Sequence, residues 1–264
     1  MDEKNSKELK LKLNWKISKK TLSKSPDENY RDSPGNAEIE RLVTKLDTLR
    51  DGRLNQIVLI TSAVLGEGKS TLASRIALSS ARNRKKPTLL VDFDLRRPRL
   101  HQIFRVKESP GVAEILRSTL PLEFCFKKTS VPNLMLLPSG KLRDNPVDLL
   151  CLDKLDNLFT EVRTLFDNVI IDSPPTIPVS EPLVLGKSVD NVILVIKAGA
   201  TSKQVVKCAI DMFYDVGIDI SGIVLNNMNN VLPYYYDYKY YHYGYYGNGK
   251  TRTSSSSPVQ KLPS

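Results

Sequence analysis

Ile57-Val-Leu-Ile-Thr-Ser-Ala-Val-Leu-Gly-Glu-Gly-Lys-Ser-Thr71 decides the fold. It opens on a short apolar run of buried-strand type and passes into a glycine turn. A helix over 71–82 is expected to follow. Strand, Gly-rich turn, lysine, hydroxyl and helix are the parts of a phosphate cradle. Gly66 and Gly68 let backbone N–H groups approach an anion, and the helix presents its positive end. The loop residues Gly66, Glu67, Gly68, Lys69, Ser70 and Thr71 are therefore expected to bind nucleotide, with Lys69 on the β- and γ-phosphates and the Ser70 hydroxyl on Mg²⁺. Ala63 stands where the pattern G-x-x-x-x-G-K-[ST] has its first glycine.

Working outward, further apolar runs read as strands at 88–92, 134–137, 168–172, 191–196 and 220–225, with helices between most of them, notably over 146–165 and 202–216. Continuous Val/Ile/Leu strands alternating with helices predict an α/β fold, a parallel β-sheet with helices on both faces. Leu149, Leu152, Leu155 and Leu158 read as core positions of the 146–165 helix. In such a sheet the strand C-termini share the ligand-binding edge. Asp92, Asp94 and Asp172 follow strands, so three carboxylates are expected at the edge that holds the glycine loop. Mg²⁺ takes few protein ligands and keeps its waters, which suits Asp172 as a water-mediated partner.

The flanks differ from this core. Residues 1–36 read as a basic arm; eight lysines against three acids give residues 1–26 a local net of +5, within a chain net of +10. Leu9, Leu11, Leu13, Trp15 and Ile17 alternate with polar residues, which reads either as chance alternation in a flexible arm or as the period of a strand that can add to a partner's sheet edge or lie on anionic lipid. Residues 37–230 form the expected domain, entered through an amphipathic helix with Ile39, Leu42, Leu46 and Leu49 on one face. Residues 231–264 read as a disordered tail. Within it, thirteen residues, 234–246, hold nine tyrosines: Tyr234, Tyr235, Tyr236, Tyr238, Tyr240, Tyr241, Tyr243, Tyr245 and Tyr246. A cluster of acceptor hydroxyls paired with a triphosphate cradle points to a kinase acting on its own tail.

Composition excludes other classes. No nucleic-acid-reading motif accompanies the positive charge, so no nucleic-acid partner is expected. Three scattered cysteines and two histidines, without metal-ligand spacing, argue against structural zinc and fit a reducing cytosol. No apolar run approaches the ~20 residues that span a bilayer, so a cytoplasmic protein is expected.

Leu90-Val-Asp-Phe-Asp-Leu-Arg-Arg-Pro-Arg-Leu-His101, Leu137-Pro-Ser-Gly140 with Asn145-Pro146, Ile171-Asp-Ser-Pro-Pro175 and the tyrosine-rich tail resemble the bacterial tyrosine kinases of polysaccharide export. The resemblance runs from about Leu54 to Tyr246. It implies a P-loop fold of the MinD/ParA type, ATP and Mg²⁺ as cofactors, and γ-phosphoryl transfer to the tail tyrosines. By motif, Lys69 and Ser70 belong to Walker A, Asp92 and Asp94 to Walker A′ and Asp172 to Walker B. The catalytic set is then Lys69, Asp92, Asp94 and Asp172, with Ser70, Asp94 and Asp172 toward the metal. Asp92, with Asp94 as the alternative, would accept the phenol proton. Asn226 or Asn227 is the adenine contact that the resemblance implies, and Arg96 and Arg97 face phosphate or a neighbouring subunit.

The family's E-x-x-R-x-x-R oligomerisation motif is partly matched by Glu38 and Arg41, with Lys45 one position late. The resemblance implies a homo-oligomer, a membrane-anchored polysaccharide co-polymerase as activator, a cognate tyrosine phosphatase, and recruitment to the inner face of the cell membrane. The competing class is a MinD/ParA ATPase switch with the tail as adaptor. That class carries an early lysine in the loop, where this chain has Val64.

Overall fold

The computed structural model describes residues 35–227, apart from Asp51 and Asp144. The arm expected over 1–36 therefore lies almost wholly outside the described residues, and the tyrosine cluster lies entirely outside them.

Seven strands form one sheet: β1 (Gln56–Ser62), β2 (Thr88–Asp92), β3 (Lys127–Lys128), β4 (Leu134–Leu137), β5 (Asn168–Asp172), β6 (Asn191–Lys197) and β7 (Gly222–Asn226). Their order is β3-β4-β2-β5-β1-β6-β7. Every neighbouring pair is parallel except β3 with β4. The expected strands are all present, the last one shifted to Gly222–Asn226. The antiparallel β3 is a departure from a purely parallel sheet. It has two lysines and no apolar run, so hydrophobic pattern cannot announce it.

The helices are α1 (Asn36–Thr48), α2 (Lys69–Arg82), α3 (Leu100–Ile103), α4 (Val112–Leu116), α5 (Pro146–Leu149), α6 (Leu152–Leu165), α7 (Glu181–Gly186) and α8 (Lys203–Tyr214). The single helix expected over 146–165 is broken at Leu150 and Cys151, whose backbones leave the helical region. Leu149-Leu150-Cys151-Leu152 would spread around a continuous helix. The break buries both Leu149 and Leu150 and leaves Leu152 exposed, which corrects its placement in the core.

Strand alternation divides the core between two faces. On one, Ile57, Leu59, Val169 and Ile171 meet Leu155, Phe159 and Val162 of α6 and Phe213 of α8. Phe93 and Phe159 pack edge to face, ring centroids 6.1 Å apart. On the other, Val58, Ile60, Ile170, Ile193 and Val195 meet Ile39, Val43 and Leu46 of α1 and Leu72, Ile76 and Ala77 of α2. Phe213 is fully buried, and a Cβ at Gly186 would lie 3.3 Å from its ring. Phe213→Ala is expected to lower stability by about 3–5 kcal/mol, read as a fall in the urea midpoint.

Arg50 anchors the turn after α1. Its buried guanidinium donates to the carbonyls of Leu54 and Asp167 and to the Asn168 side chain. Asp167 and Asn168 mark the start of β5, so α1 ends at the sheet edge opposite the strand C-termini.

Candidate active site

β1 delivers the chain to the glycine turn, and the segment after β5 runs beside it. Thr176 N donates to Ser62 O at 2.8 Å, and the Thr61 hydroxyl donates to Pro174 O at 2.8 Å. The turn is made by Gly66 (φ 81°) and Gly68 (φ 93°), both left-handed, a region that side chains disfavour. Gly68 has a second constraint: a Cβ there would stand 2.2 Å from Asn226 Nδ2. α2 starts directly after it with no acidic residue in its first turn, so the helix offers no carboxylate of its own against its positive end. Ser70 is half-buried and Thr71 exposed on that turn.

The three expected carboxylates do converge. Asp92 and Asp172 are register partners at the ends of β2 and β5. Asp94 lies two residues past β2 and accepts from Lys69 Nζ at 3.1 Å, both side chains at most 10% exposed. Asp94 also accepts from Arg97 N at 3.1 Å. Asp92 is fully buried; its Oδ2 takes the backbone N–H groups of Arg99 (3.1 Å) and Leu100 (3.0 Å), which fixes the entry to α3. Among the described residues its Oδ1 has no hydrogen-bond partner, and neither oxygen of Asp172 meets hydrogen-bonding geometry, although the Ser70 hydroxyl stands close enough to favour the charged form of Asp172. Burial pushes the Asp92 carboxyl well above the usual range, and the Asp172 charge beside it adds to this. Burial likewise pushes Asp172 up to about 7, with Lys69 and the Ser70 hydroxyl partly offsetting it. A buried carboxylate with two unmet acceptors suits a divalent cation.

Other expected residues are placed differently. Glu67 is 2% exposed and turned away from the turn's mouth. Its carboxylate accepts from Val64 N (2.8 Å), Lys197 N (3.1 Å) and the Thr201 hydroxyl (2.5 Å). Asn226 Nδ2 donates to Glu67 O at 2.9 Å, so this carboxamide is held against the loop. Asn227 is half-buried, with φ 66°. Glu38 and Arg41 pair with each other at 2.8 Å on the exposed side of α1, whose buried side packs against α2.

Three contributors were given no role by the sequence. Glu181, 2% exposed at the start of α7, accepts from Arg96 Nε at 2.8 Å, and Asn145 accepts from the same guanidinium at 3.3 Å. Thr201 is the third. Glu181 and Thr201 lie more than 80 residues from the side chains they hold, and no local pattern reports such a pairing.

The ParA family model, described as "NUBPL iron-transfer P-loop NTPase", matches residues 53–261. A tyrosine-protein kinase CpsD of Streptococcus agalactiae serotype III is 35% identical over 187 residues, covering 70% of this chain and 80% of the relative. The chain belongs to the bacterial tyrosine-kinase family. The kinase domain of Escherichia coli tyrosine kinase ETK superposes on this kinase with a TM-score of 0.73 at 27% identity, covering 80% of this chain and 84% of that one. The cell-division ATPase MinD of Pyrococcus furiosus, 22% identical with a TM-score of 0.56, covers 65% of this chain and 71% of its own; it shares the fold. The kinase is thus a protein-tyrosine kinase on a MinD/ParA-type P-loop scaffold, and its loop is a nucleotide-binding loop. Among the described residues no helix is long and apolar enough to cross a membrane.

Proposed function

We propose that this kinase transfers the γ-phosphoryl group of ATP to tyrosines of its own C-terminal cluster, residues 234–246, and that this controls polymerisation and export of an exopolysaccharide or capsule. The observation that carries the reading is the direction of β7. It runs parallel to β6, so the chain leaves it at the edge that holds the glycine turn, with Asn226 against Gly68. From Asn226 to Tyr240 is 14 residues, a reach of at most ~50 Å when extended. That span serves delivery to the same site or to a neighbour's.

Phosphoryl transfer asks mainly for positioning and charge neutralisation. The loop amides and the α2 terminus hold the phosphates, and Lys69 balances charge on the transferred group. Mg²⁺ fits the unpartnered oxygens of Asp172 with Ser70 and Asp94 beside them; when bound it supplies positive charge to the phosphates. The tyrosine oxygen forms a bond to the γ-phosphorus as the bridge to the β-phosphate breaks, and ADP leaves. The phenol proton passes to Asp92, whose Oδ1 takes no other donor among the described residues.

Each phosphate adds roughly −1.5 to −2 charges, so nine add about −14 to −18, reversing the sign of a chain that carries +10. The reading therefore includes a cycle in which unphosphorylated subunits assemble through α1 (Glu38, Arg41) and donate tails, and phosphorylated ones separate. A membrane-anchored activator and a cognate phosphatase complete it at the inner face of the membrane.

The test is to incubate the purified full chain with MgATP, alone and with membranes, and map phosphotyrosine by mass spectrometry. Label concentrated in 234–246, with a drop in oligomeric mass as it accumulates, is the expected result. Label confined to other residues, or an unchanged mass at full phosphorylation, overturns the corresponding half of the reading.

A further inference from the structure

A carboxylate inside a polyanion-binding loop is electrostatically adverse. Glu67 sits between the two glycines of the turn, directly before the helix that receives the phosphates. Among the described residues its charge is met by three neutral donors and no cation. One of them, Val64 N, belongs to the loop itself. The other two, Lys197 N and the Thr201 hydroxyl, share Oε1 and come from the turn joining β6 to α8, 130 and 134 residues away.

That turn is also tied to the last residue of β7. Ala198 N donates to Asn226 O at 2.9 Å, the final rung between the two strands. A second route is shorter: Asn226 Nδ2 donates to the Glu67 carbonyl itself. Glu67 is therefore gripped on its side chain by the β6–α8 turn and on its backbone by the root of the chain that follows β7. Gly68 keeps the second contact close, because any Cβ there would collide with the Asn226 carboxamide.

We propose that Glu67 is a positioning residue that couples nucleotide occupancy of the loop to the β6–α8 turn and to the exit of the chain beyond Asn226. The acid touches no substrate. When phosphates draw the loop amides into one arrangement, the carboxylate fixes Lys197 and Thr201, and the end of β7 becomes rigid with them. Loss of phosphate contacts loosens both together. The proposal rests on the family's nucleotide loop and extends the tail-kinase reading by giving nucleotide state a path to the tail's root.

The two sides of the link can be weakened separately. In Glu67→Gln the amide oxygen still accepts from Lys197 and Thr201, but the amide nitrogen cannot accept from Val64 N, so the loop side is weakened. In Thr201→Val the shape is kept and the turn side loses its hydroxyl. The measurement is hydrogen exchange of the full chain at single-residue resolution, with and without ADP and Mg²⁺. In the unaltered protein ADP is expected to slow exchange at residues 66–70, and at Lys197 and Ala198 by about tenfold, an ordinary size for coupling between sites. In both variants protection of 66–70 should persist while that of 197–198 falls below about twofold. No effect of ADP at 197–198 in the unaltered protein, or full protection there in both variants, overturns the proposal.

Kinetics give a second readout. Thr201→Val should lower kcat for tail phosphorylation about fivefold with the KM for ATP unchanged; a raised KM with unchanged kcat would mean simple loop packing and also overturn it. Should the unaltered protein leave its tail unmodified, the acceptor assignment falls and the exchange comparison still decides the coupling.

Discussion

Lys69→Met is expected to abolish phosphotyrosine formation. Methionine matches the length and apolar stem of lysine, so packing beneath the loop should survive while the ammonium is lost. Lys69 is the cation that meets Asp94, at 3.1 Å, and it also lowers the carboxyl of Asp172. Its removal has two consequences. The transferred group loses a charge partner in a dry site, where one preorganised donor is worth roughly 10²- to 10³-fold in rate or more. Asp92, Asp94 and Asp172 are also left as a buried acidic group without that cation, which opposes a polyanionic nucleotide directly. Mass-spectrometric mapping after incubation with MgATP, with fluorescent-nucleotide titration in parallel, checks both. Retained phosphotyrosine in the variant would assign the chemistry to another enzyme.

The parts of this site that a reader of the chain alone can find are those written in local pattern. The apolar runs ending in Asp92 and Asp172 announce strands whose carboxylates must share an edge, and the register pairing of these two residues is what that argument demands. Gly66, Gly68 and Lys69 are equally legible, because the left-handed turn admits little else. What stays hidden is set by distance along the chain. Glu67 sits in a nucleotide loop and reads as a ligand contact; its commitment to Lys197 and Thr201 exists only because β1 and β6 are neighbours. Asp92 reads as an open catalytic acid, yet half of its carboxyl caps the backbone at Arg99 and Leu100. The break at Leu150 and Cys151 carries no Gly or Pro. It arises from competition among four adjacent apolar side chains for one core, which periodicity alone cannot resolve.

Asp172→Asn is expected to lose kinase activity and gain stability, a trade-off common where a site is built for a ligand at the expense of the fold. Both Asp172 oxygens are buried outside hydrogen-bonding geometry among the described residues, and burial pushes the carboxyl up to about 7 from an ordinary 3.8 despite the nearby Lys69 and Ser70. The folded protein therefore binds a proton that the unfolded chain has released between about pH 4 and pH 7. Stability contributed by this group falls as pH rises through that window, and the full cost is present above it. At 1.36 kcal/mol per unit the ceiling is about 4 kcal/mol, and relaxation around the site should leave on the order of 2 kcal/mol. For a domain of this size that is a rise in Tm of roughly 4–8 °C at pH 8, shrinking toward zero near pH 4. Asparagine supplies no anionic oxygen for Mg²⁺, so the same variant should give no tail phosphotyrosine. Thermal unfolding across pH 4–8 separates this from a packing effect: a gain of equal size at every pH would mean that charge is not the cause, and a loss at pH 8 would mean that the Asp172 carboxylate is satisfied in the folded protein after all.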